Sequence, residues 1–518
     1  MNATDSAISA AFARLPDYLG QHVLLSVSAI LLGCLISLPL AVLGYRSAWL
    51  RGPLLGVAGI IQTIPGLALL ALFYPLLLAL TAFTERVFGF GFRALGFLPA
   101  LLALTLYSML PVLRNTIAGL AGIDPAIKTA ARGVGMTPWQ SLAMVEIPLA
   151  APVIMAGVRT AAVWVIGMAT LSTPVGQTSL GNYIFSGLQT ENWVYVLFGC
   201  VAAAVLALAI DRLLALAEDG FAKRSRVRLI AAAAGLVLIV GGSLAPMMGH
   251  SKPAIVIGTK NFEEQYILGA LIRDRLVQAG LGATERDDLG STVIFNALAA
   301  NDVDVYVDYS GTIWANAMKR TDMPGRAAVL TQMRDWLART HGIADVGALG
   351  FENAYAFAMR ADKAKALGIE TLADLAKHSA NLKAGGDYEF FERPEWASVK
   401  KAYGLGFGTQ RQYQANFLYR AVVDGDVDVI VAFSSDGRIA QYGLKLLADP
   451  KGALPPYDAV LLVSPRHARD ATLLKALQPL IGAIDLKTMQ QANLMVDRPD
   501  NKKTPEQAAR FLEGRLRK

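Results

Sequence analysis

Two stretches of this chain repeat one pattern. Asn301-Asp302-Val303-Asp304-Val305-Tyr306-Val307-Asp308-Tyr309-Ser310 parallels Gly425-Asp426-Val427-Asp428-Val429-Ile430-Val431-Ala432-Phe433-Ser434. Each reads as a buried strand ending in an aromatic residue, followed by small polar residues that open a helix. In α/β sheets ligands collect at the carboxyl ends of strands. Tyr309 and Phe433 are thus candidates for a cleft shared by two lobes, or core aromatics of two similar units; the spacing leaves both open. Asp304, Asp308, Asp426 and Asp428 lack the spacing of a calcium loop and read as structural or solvated. His341, His378 and His467 stand among polar residues and read as surface. Cys34 and Cys200 lie inside apolar runs without CxxC or Cys/His neighbours and read as small core residues. There is no Ser/His/Asp order, no metal cluster and no GxxxxGKS/T phosphate cradle, which argues against an enzyme and leaves nothing to bind ATP in the P-loop manner.

A second group of residues has the chemistry of a docking surface. Residues 120–148 read as two short helical pieces, with Asp124 and Thr137 as N-caps, Pro at the first helical position of each, and Gly135 as a stop. A small-residue helix between apolar spans presents a flat knob to a partner protein.

The elements that position both groups follow from composition. Of 518 residues, 54% are hydrophobic and 17% charged, against about 25% charged in a soluble domain. The apolar runs concentrate before residue 249, so a membrane half is joined to a soluble half. The net charge of +7 comes from basic residues that are scattered or flank apolar spans, a pattern of membrane orientation rather than a nucleic-acid footprint. The first residues lack a basic stretch leading into an apolar core and a small-residue cleavage site, and read as retained.

Spans of the length a bilayer requires fall at 23–44, 53–83, 97–118, 149–171, 193–216 and 229–248. The second holds Pro65 and reads as a kinked helix or a short helix followed by a span. Arg46 and Arg51, then Arg114, Lys128 and Arg132, then Lys223, Arg224, Arg226 and Arg228 fall on one side of six alternating spans. That side is cytoplasmic by the positive-inside rule, and everything after 248 is extracytoplasmic. The expected domains are an N-terminal segment 1–22, a transmembrane domain 23–216, a basic loop with a tethering helix 217–253, and a soluble domain 254–518. The last alternates strand-like runs with amphipathic segments, the α/β pattern.

The loop at 120–148 resembles the EAA signature of ABC-importer permeases: Thr129-Ala130-Ala131, three residues, Gly135, nine residues, then Val145-x-Ile147-Pro148. Thr129 stands where that signature has an acid. Ile257-Gly258-Thr259-Lys260-Asn261-Phe262-Glu263-Glu264-Gln265, Asp308-Tyr309-Ser310-Gly311-Thr312, Phe351-Glu352-Asn353-Ala354-Tyr355-Ala356, Phe433-Ser434-Ser435-Asp436-Gly437 and Pro455-Pro456-Tyr457-Asp458-Ala459 resemble the binding-protein motifs of glycine betaine, carnitine and choline ABC importers. Some members of that family carry permease and binding protein fused, and the resemblance covers the permease from about 20 to 216 and the binding protein from about 254 onward.

The resemblance implies an α-helical permease of the type I importer kind followed by a two-lobed α/β periplasmic-binding-protein domain, in the bacterial inner membrane. It implies that Thr129, Ala130, Ala131, Gly135 and Pro148 belong to a loop that docks on a separate cytoplasmic ATPase. ATP and magnesium would be bound there, with no cofactor in this chain. Two copies of the permease are expected around a central axis. The ligand's quaternary ammonium would sit among Tyr309, Tyr355, Phe433 and Tyr457, since a trimethylammonium group has no N–H to donate and ring faces recognise it. Lys260, Thr312 and Arg393 would meet a ligand carboxylate, with Asn353 adding a polar contact. The family extends to importers of ergothioneine, a larger betaine. A membrane-tethered sensor is the competing reading, and five spans beyond a tether together with the EAA-like loop weigh against it.

Overall fold

The computed structural model describes residues 3–89, 91–92, 94–190, 192–245, 254–320, 322, 324–498 and 502–516. The expected boundary at 253/254 and the end of the sixth span at 246–248 lie outside the described residues. Two compact units divide the chain, a helical one of Ile8–Ile184 and Tyr195–Ser251 and one of Lys252–Lys518, which holds the α/β domain, grouped with Met1–Ala7 and Phe185–Val194.

Ahead of the two sheets the chain forms α1 (Ala3–Arg46), α2 (Ala48–Thr63), α3 (Gly66–Phe88), α4 (Phe97–Ala121), α5 (Pro125–Gly133), α6 (Pro138–Ser141), α7 (Ile147–Ala169), α8 (Gly181–Gln189), α9 (Trp193–Ala222) and α10 (Arg226–Leu244). Six helical stretches among the described residues have the length and apolarity to cross a bilayer, as the spans predict. The first differs in extent. Ala-rich sequence carries α1 back to Ala3, so the described part of segment 1–22 continues the helix rather than leading into it. Over 53–83 the chain forms the short helix followed by a span. Ile64 precedes Pro65 and takes the extended conformation (φ −71°, ψ 127°) that a following proline favours, which separates α2 from α3.

Arg159 of α7 makes a bidentate ion pair with Asp211 of α9 at 2.5 and 3.0 Å, a charge-assisted tie between two apolar helices. Cys34 is half-buried and Cys200 exposed, so Cys200 is not the core residue its apolar surroundings suggest. In a membrane helix an apolar run covers the lipid-facing side as readily as the packed one.

The α/β unit holds two five-stranded sheets. The first is ordered β2 (Ala283–Leu289), β1 (Ile255–Lys260), β3 (Val305–Tyr309), β10 (Asp458–Val463), β4 (Ala344–Glu352). The second is ordered β7 (Thr409–Tyr413), β6 (Lys383–Asp387), β8 (Val429–Phe433), β5 (Tyr355–Arg360), β9 (Leu444–Leu446). In each, a central strand runs parallel to two neighbours (β1 between β2 and β3; β6 between β7 and β8), and an antiparallel strand then pairs with the third. The two sheets are copies of one topology, and β3 and β8, the strands of the sequence repeat, take the same place in each. The chain passes between sheets twice, from β4 to β5 and from β9 to β10. The inner strands are buried on both faces, as helix-covered sheets require, with all six residues of β1 and of β10 buried, whereas the edge strand β7 is polar and exposed along most of its length.

Two histidines depart from their surface reading. His341 packs edge-on to Phe295 and Trp336, with ring centroids 5.3 and 4.7 Å away, and His467 lies 3.3 Å from Asp470 and 3.7 Å from Asp304. Polar sequence neighbours do not report what a side chain meets in three dimensions. The strand aspartates are structural. Asp304 accepts from Val256 N and pairs with Arg466, Asp308 pairs with Lys260, and Asp428 pairs with Lys363.

Candidate functional site

β3 and β8 deliver Tyr309 and Phe433 at their carboxyl ends. Because β5 and β10 run antiparallel to them, the start of β5 and the residue before β10 lie at the same rim, which places Tyr355 and Tyr457 there. Tyr355 is the direct register partner of Phe433, and Ala459, two residues beyond Tyr457, is that of Tyr309. Lys260 ends β1, Asn353 follows β4, Thr312 ends the short helix Ser310–Thr312 after β3, and Arg393 precedes the helix Pro394–Tyr403. The structure brings all eight residues around one cavity of about 160 Å³.

The rings are close-set. Tyr355 lies 5.2 Å from Phe433 and 5.6 Å from Tyr457, the latter edge-on, while Phe262 stacks on Phe433 at 6.3 Å and lies 6.1 Å from Tyr309. Tyr309, Tyr355 and Tyr457 are 4, 7 and 2% exposed and belong to the apolar cluster that joins the two sheets. Both readings of the repeat therefore apply: these rings are core residues whose remaining surface faces the cavity. Gly311 makes room for one of them, since a Cβ there would come 2.8 Å from three ring atoms of Tyr457.

The charged residues are already engaged. Lys260 Nζ lies 2.5 Å from Asp308 Oδ1 and 5.2 Å from the Tyr309 ring centroid. Arg393 donates to Glu395 Oε1 through Nε (3.2 Å) and Nη2 (2.9 Å) and to Glu389 through Nη1 (3.1 Å), with its guanidinium 5.4 Å from the Tyr355 ring.

Sequence reasoning missed several members of the site. Phe262 bridges rings of the two sheets, and its only signal was its place in the Lys260-Asn261-Phe262 motif. Asp387, Glu389 and Tyr413 also line the cavity. Behind the rings, Tyr309 Oη donates to Glu264 Oε1 at 2.5 Å and Tyr355 Oη to Asp387 Oδ2 at 3.1 Å, while Tyr457 Oη donates to Glu395 Oε1. Burial raises all three phenols well above their ordinary pKa, so they stay protonated and keep donating. Burial also pushes the Glu264 carboxyl up, and hydrogen bonds from Ser435, Tyr309, Asn493 and Asn353 pull it back down. Asp387 is raised by burial and drawn down by the N–H groups of Phe390 and Glu389.

The loop of the helical unit keeps the form its sequence predicts. Asp124 caps α5 by accepting from Ala126 N at 2.8 Å, and Thr137 with Gln140 forms a reciprocal capping box on α6. Gly135 takes φ +81°, the left-handed turn that favours glycine. α6 does not stop but runs through a π-turn, Leu142–Glu146, into α7, with Pro148 in the first turn of α7. Thr129, in the acid's place, donates to its own helix at Pro125 O (3.0 Å), while Ala131 is buried and Ala130 exposed. Lys128 fastens α5 through Tyr45 Oη (2.6 Å) and Leu120 O (3.0 Å). Val134, Trp139 and Met144 are 75, 70 and 66% exposed, an apolar surface on this loop.

Residues 253–513 match the family model described as the substrate binding domain of ABC-type glycine betaine transport system. Residues 29–223 match the binding-protein-dependent transport system inner membrane component. The chain is 30% identical over 498 residues to the ergothioneine transport permease/ergothioneine binding protein EgtU of Helicobacter pylori (strain G27), covering 92% of this chain and 85% of that protein. It is 42% identical over 198 residues to the choline transport system permease protein OpuBB of Bacillus subtilis (strain 168), covering 38% of this chain and 84% of that protein. A solved glycine betaine/carnitine/choline ABC transporter structure is 31% identical with a TM-score of 0.44, over 50% of this chain and 98% of that one.

Proposed function

The chain belongs to the osmoprotectant-uptake family of ABC importers, as an inner-membrane permease joined to its substrate-binding domain, and from that premise we propose that its cargo is a small quaternary-ammonium compound of the glycine betaine, carnitine or choline kind. The observation that carries this reading is the cavity of about 160 Å³ lined by Tyr309, Tyr355, Phe433 and Tyr457. It is smaller than the roughly 300–1,000 Å³ of sites for drug-sized ligands. A trimethylammonium head is apolar in shape, charged, and unable to donate a hydrogen bond, so closely set ring faces are its complement, at about 0.5–2 kcal/mol each. Lys260, Arg393, Thr312 and Asn353 would orient the other end of the ligand, the first two by meeting a carboxylate as they now meet Asp308 and Glu395.

Tyr309 and Phe433 belong to different sheets, so a ligand touching both stabilises a closed arrangement of the lobes, and its contacts to both set the population shift. The binding domain would face the extracytoplasmic side and deliver cargo to a pair of permease domains. A separate ATPase would dock on the loop 120–148, where the exposed Val134, Trp139 and Met144 suit a partner surface. Ergothioneine is the second reading, favoured by the match to EgtU across both halves of the chain.

The test is calorimetric titration of the full-length chain in lipid nanodiscs with glycine betaine, carnitine, choline and ergothioneine. Micromolar binding of one of them, strongly weakened by Tyr457→Ala, supports the reading and names the cargo. Binding of choline alone removes Lys260 and Arg393 as carboxylate partners, and binding of none removes quaternary-ammonium cargo altogether.

A further inference from the structure

The three tyrosines of the cavity share a feature: each hydroxyl donates to a carboxylate. Tyr457 reaches Glu395, whose charge is already met by Arg393. The other two differ. Glu264, on the helix Glu263–Gln278, is 2% exposed. It accepts from Tyr309 Oη (2.5 Å), Asn353 Nδ2 (3.1 Å) and Asn493 Nδ2 (2.9 Å). Asp387, at the end of β6, accepts from Glu389 N (2.9 Å), Phe390 N (2.7 Å) and Tyr355 Oη (3.1 Å). All of these donors are neutral, and among the described residues neither carboxylate stands in an ion pair.

The donors keep the two acids acting as acceptors. Gln265 Nε2 donates to Tyr309 Oη at 3.0 Å, which leaves the phenol's own proton directed at Glu264. Asn353 lines the cavity, and its Oδ1 has no hydrogen-bond partner among the described residues, adding a further electronegative atom. The two acids also divide between the lobes. Glu264 and Tyr309 go with the first sheet, Asp387 and Tyr355 with the second. Each lobe thus presents a tyrosine ring backed by a carboxylate without a counter-ion.

We propose that Glu264 and Asp387 are the counter-charges of the ligand's cation: specificity-determining residues that act through and past the Tyr309 and Tyr355 rings, one from each lobe. This rests on the quaternary-ammonium reading above. A permanent cation cannot shed its charge when it leaves water, so a site of rings alone must meet the cost of its desolvation. A buried carboxylate behind the ring offsets that cost over a path where the dielectric is low, and its hydrogen bond to the phenol enriches the ring face. With one carboxylate per lobe, a cation between them attracts both, and the ligand's charge, not its shape alone, favours closure.

The test separates charge from shape. The full-length chain in nanodiscs is titrated with two matched pairs, glycine betaine against tert-butylacetate and choline against tert-butylethanol, in which carbon replaces the quaternary nitrogen. The readout is the affinity ratio within each pair. Glu264→Gln and Asp387→Asn are each expected to lower the ratio roughly tenfold for the pair the protein binds, with the double variant lower still. A purely structural role would weaken cation and isostere alike and leave the ratio unchanged, and that result in both variants overturns the proposal. The two substitutions lie in different lobes, so a folding defect in one leaves the other to decide. Should neither variant fold, a structure of the wild-type chain with its bound ligand decides: the quaternary nitrogen is expected between the Tyr309 and Tyr355 rings, and finding the ligand's polar end there overturns the proposal. Wild-type protein that binds no quaternary-ammonium probe removes the cargo reading and the counter-charges with it; binding with an unmoved ratio removes the counter-charges alone.

Discussion

Tyr355 and Phe433 stand directly opposite each other on the antiparallel strands β5 and β8, their ring centroids 5.2 Å apart. The pair fixes one wall of the cavity by strand register, which a loop-borne ring would not achieve. Phe433→Ala opens that wall and removes a ring face. Affinity for the cognate quaternary-ammonium ligand is expected to fall about 10- to 30-fold, the equivalent of roughly 1.4–2 kcal/mol. Phe433→Tyr keeps the face and is expected to bind within a few-fold of wild type. Titration of both variants checks this; equal losses would mean that the position contributes fit rather than a ring.

Arg393 and Glu395 form a pair whose halves are expected to fail separately. Glu395 is 1% exposed and its Oε2 has no hydrogen-bond partner among the described residues, so Arg393→Met leaves a buried charge with the Tyr457 hydroxyl as its remaining side-chain donor among them. Breaking such a pair from one side costs about 3–5 kcal/mol. Arg393→Met should therefore melt well below wild type, and adding Glu395→Gln should recover much of the loss. In that double variant, glycine betaine affinity should drop while choline affinity holds, because only the former has a carboxylate for Arg393 to meet. Loss of both ligands together would place Arg393 in packing rather than recognition.

The exposed Trp139 on the loop 120–148 offers a test that leaves the binding domain untouched. Trp139→Glu puts a charge into the surface assigned to the ATPase. ATP-driven uptake into proteoliposomes, and co-purification of the ATPase, should fall at least roughly tenfold, as loss of an aromatic interface anchor predicts. Ligand affinity of the purified chain should not change. Full uptake by this variant would move the docking surface away from Trp139.

The fold was readable where a local signal exists. Proline after Ile64 marks the break between α2 and α3, Asp124 and Thr137 cap as their spacing indicates, and the duplicated strand pattern marks β3 and β8, which take the same place in the two sheets. The cavity's rings were readable through motifs that place them at strand ends. What lay behind the rings was not. Tyr309 and Glu264 are 45 positions apart, and Tyr457 and Glu395 62; no periodicity links residues that meet only when separate strands and helices converge. For the same reason nothing in the sequence shows that Lys260 and Arg393, which the resemblance sets against a ligand carboxylate, pair with Asp308 and Glu395. Cys200 shows the limit in the other half, where apolar sequence does not distinguish a lipid-facing side from a packed one.

Glu263 carries the last prediction, one of pH dependence. It is buried, and its Oε1 has no hydrogen-bond partner among the described residues. Burial raises its pKa from 4.5 to about 7, against the pull of Arg438 and Lys502 and with a push from Asp436. A carboxyl raised by folding holds its proton more tightly in the native than in the unfolded chain, so stability falls as pH climbs from the unfolded value through the native one. Glu263→Gln removes this titration while keeping the side chain's size, and Arg438 retains Asp436 and Asp497 as partners. At about pH 8 the variant should be more stable than wild type by on the order of 1–3 kcal/mol, with the difference closing near pH 5. Thermal or denaturant unfolding of both proteins across that range gives the answer. A variant less stable than wild type at pH 8 would mean that ionised Glu263 is a favourable partner of Arg438 and that the fold holds it charged.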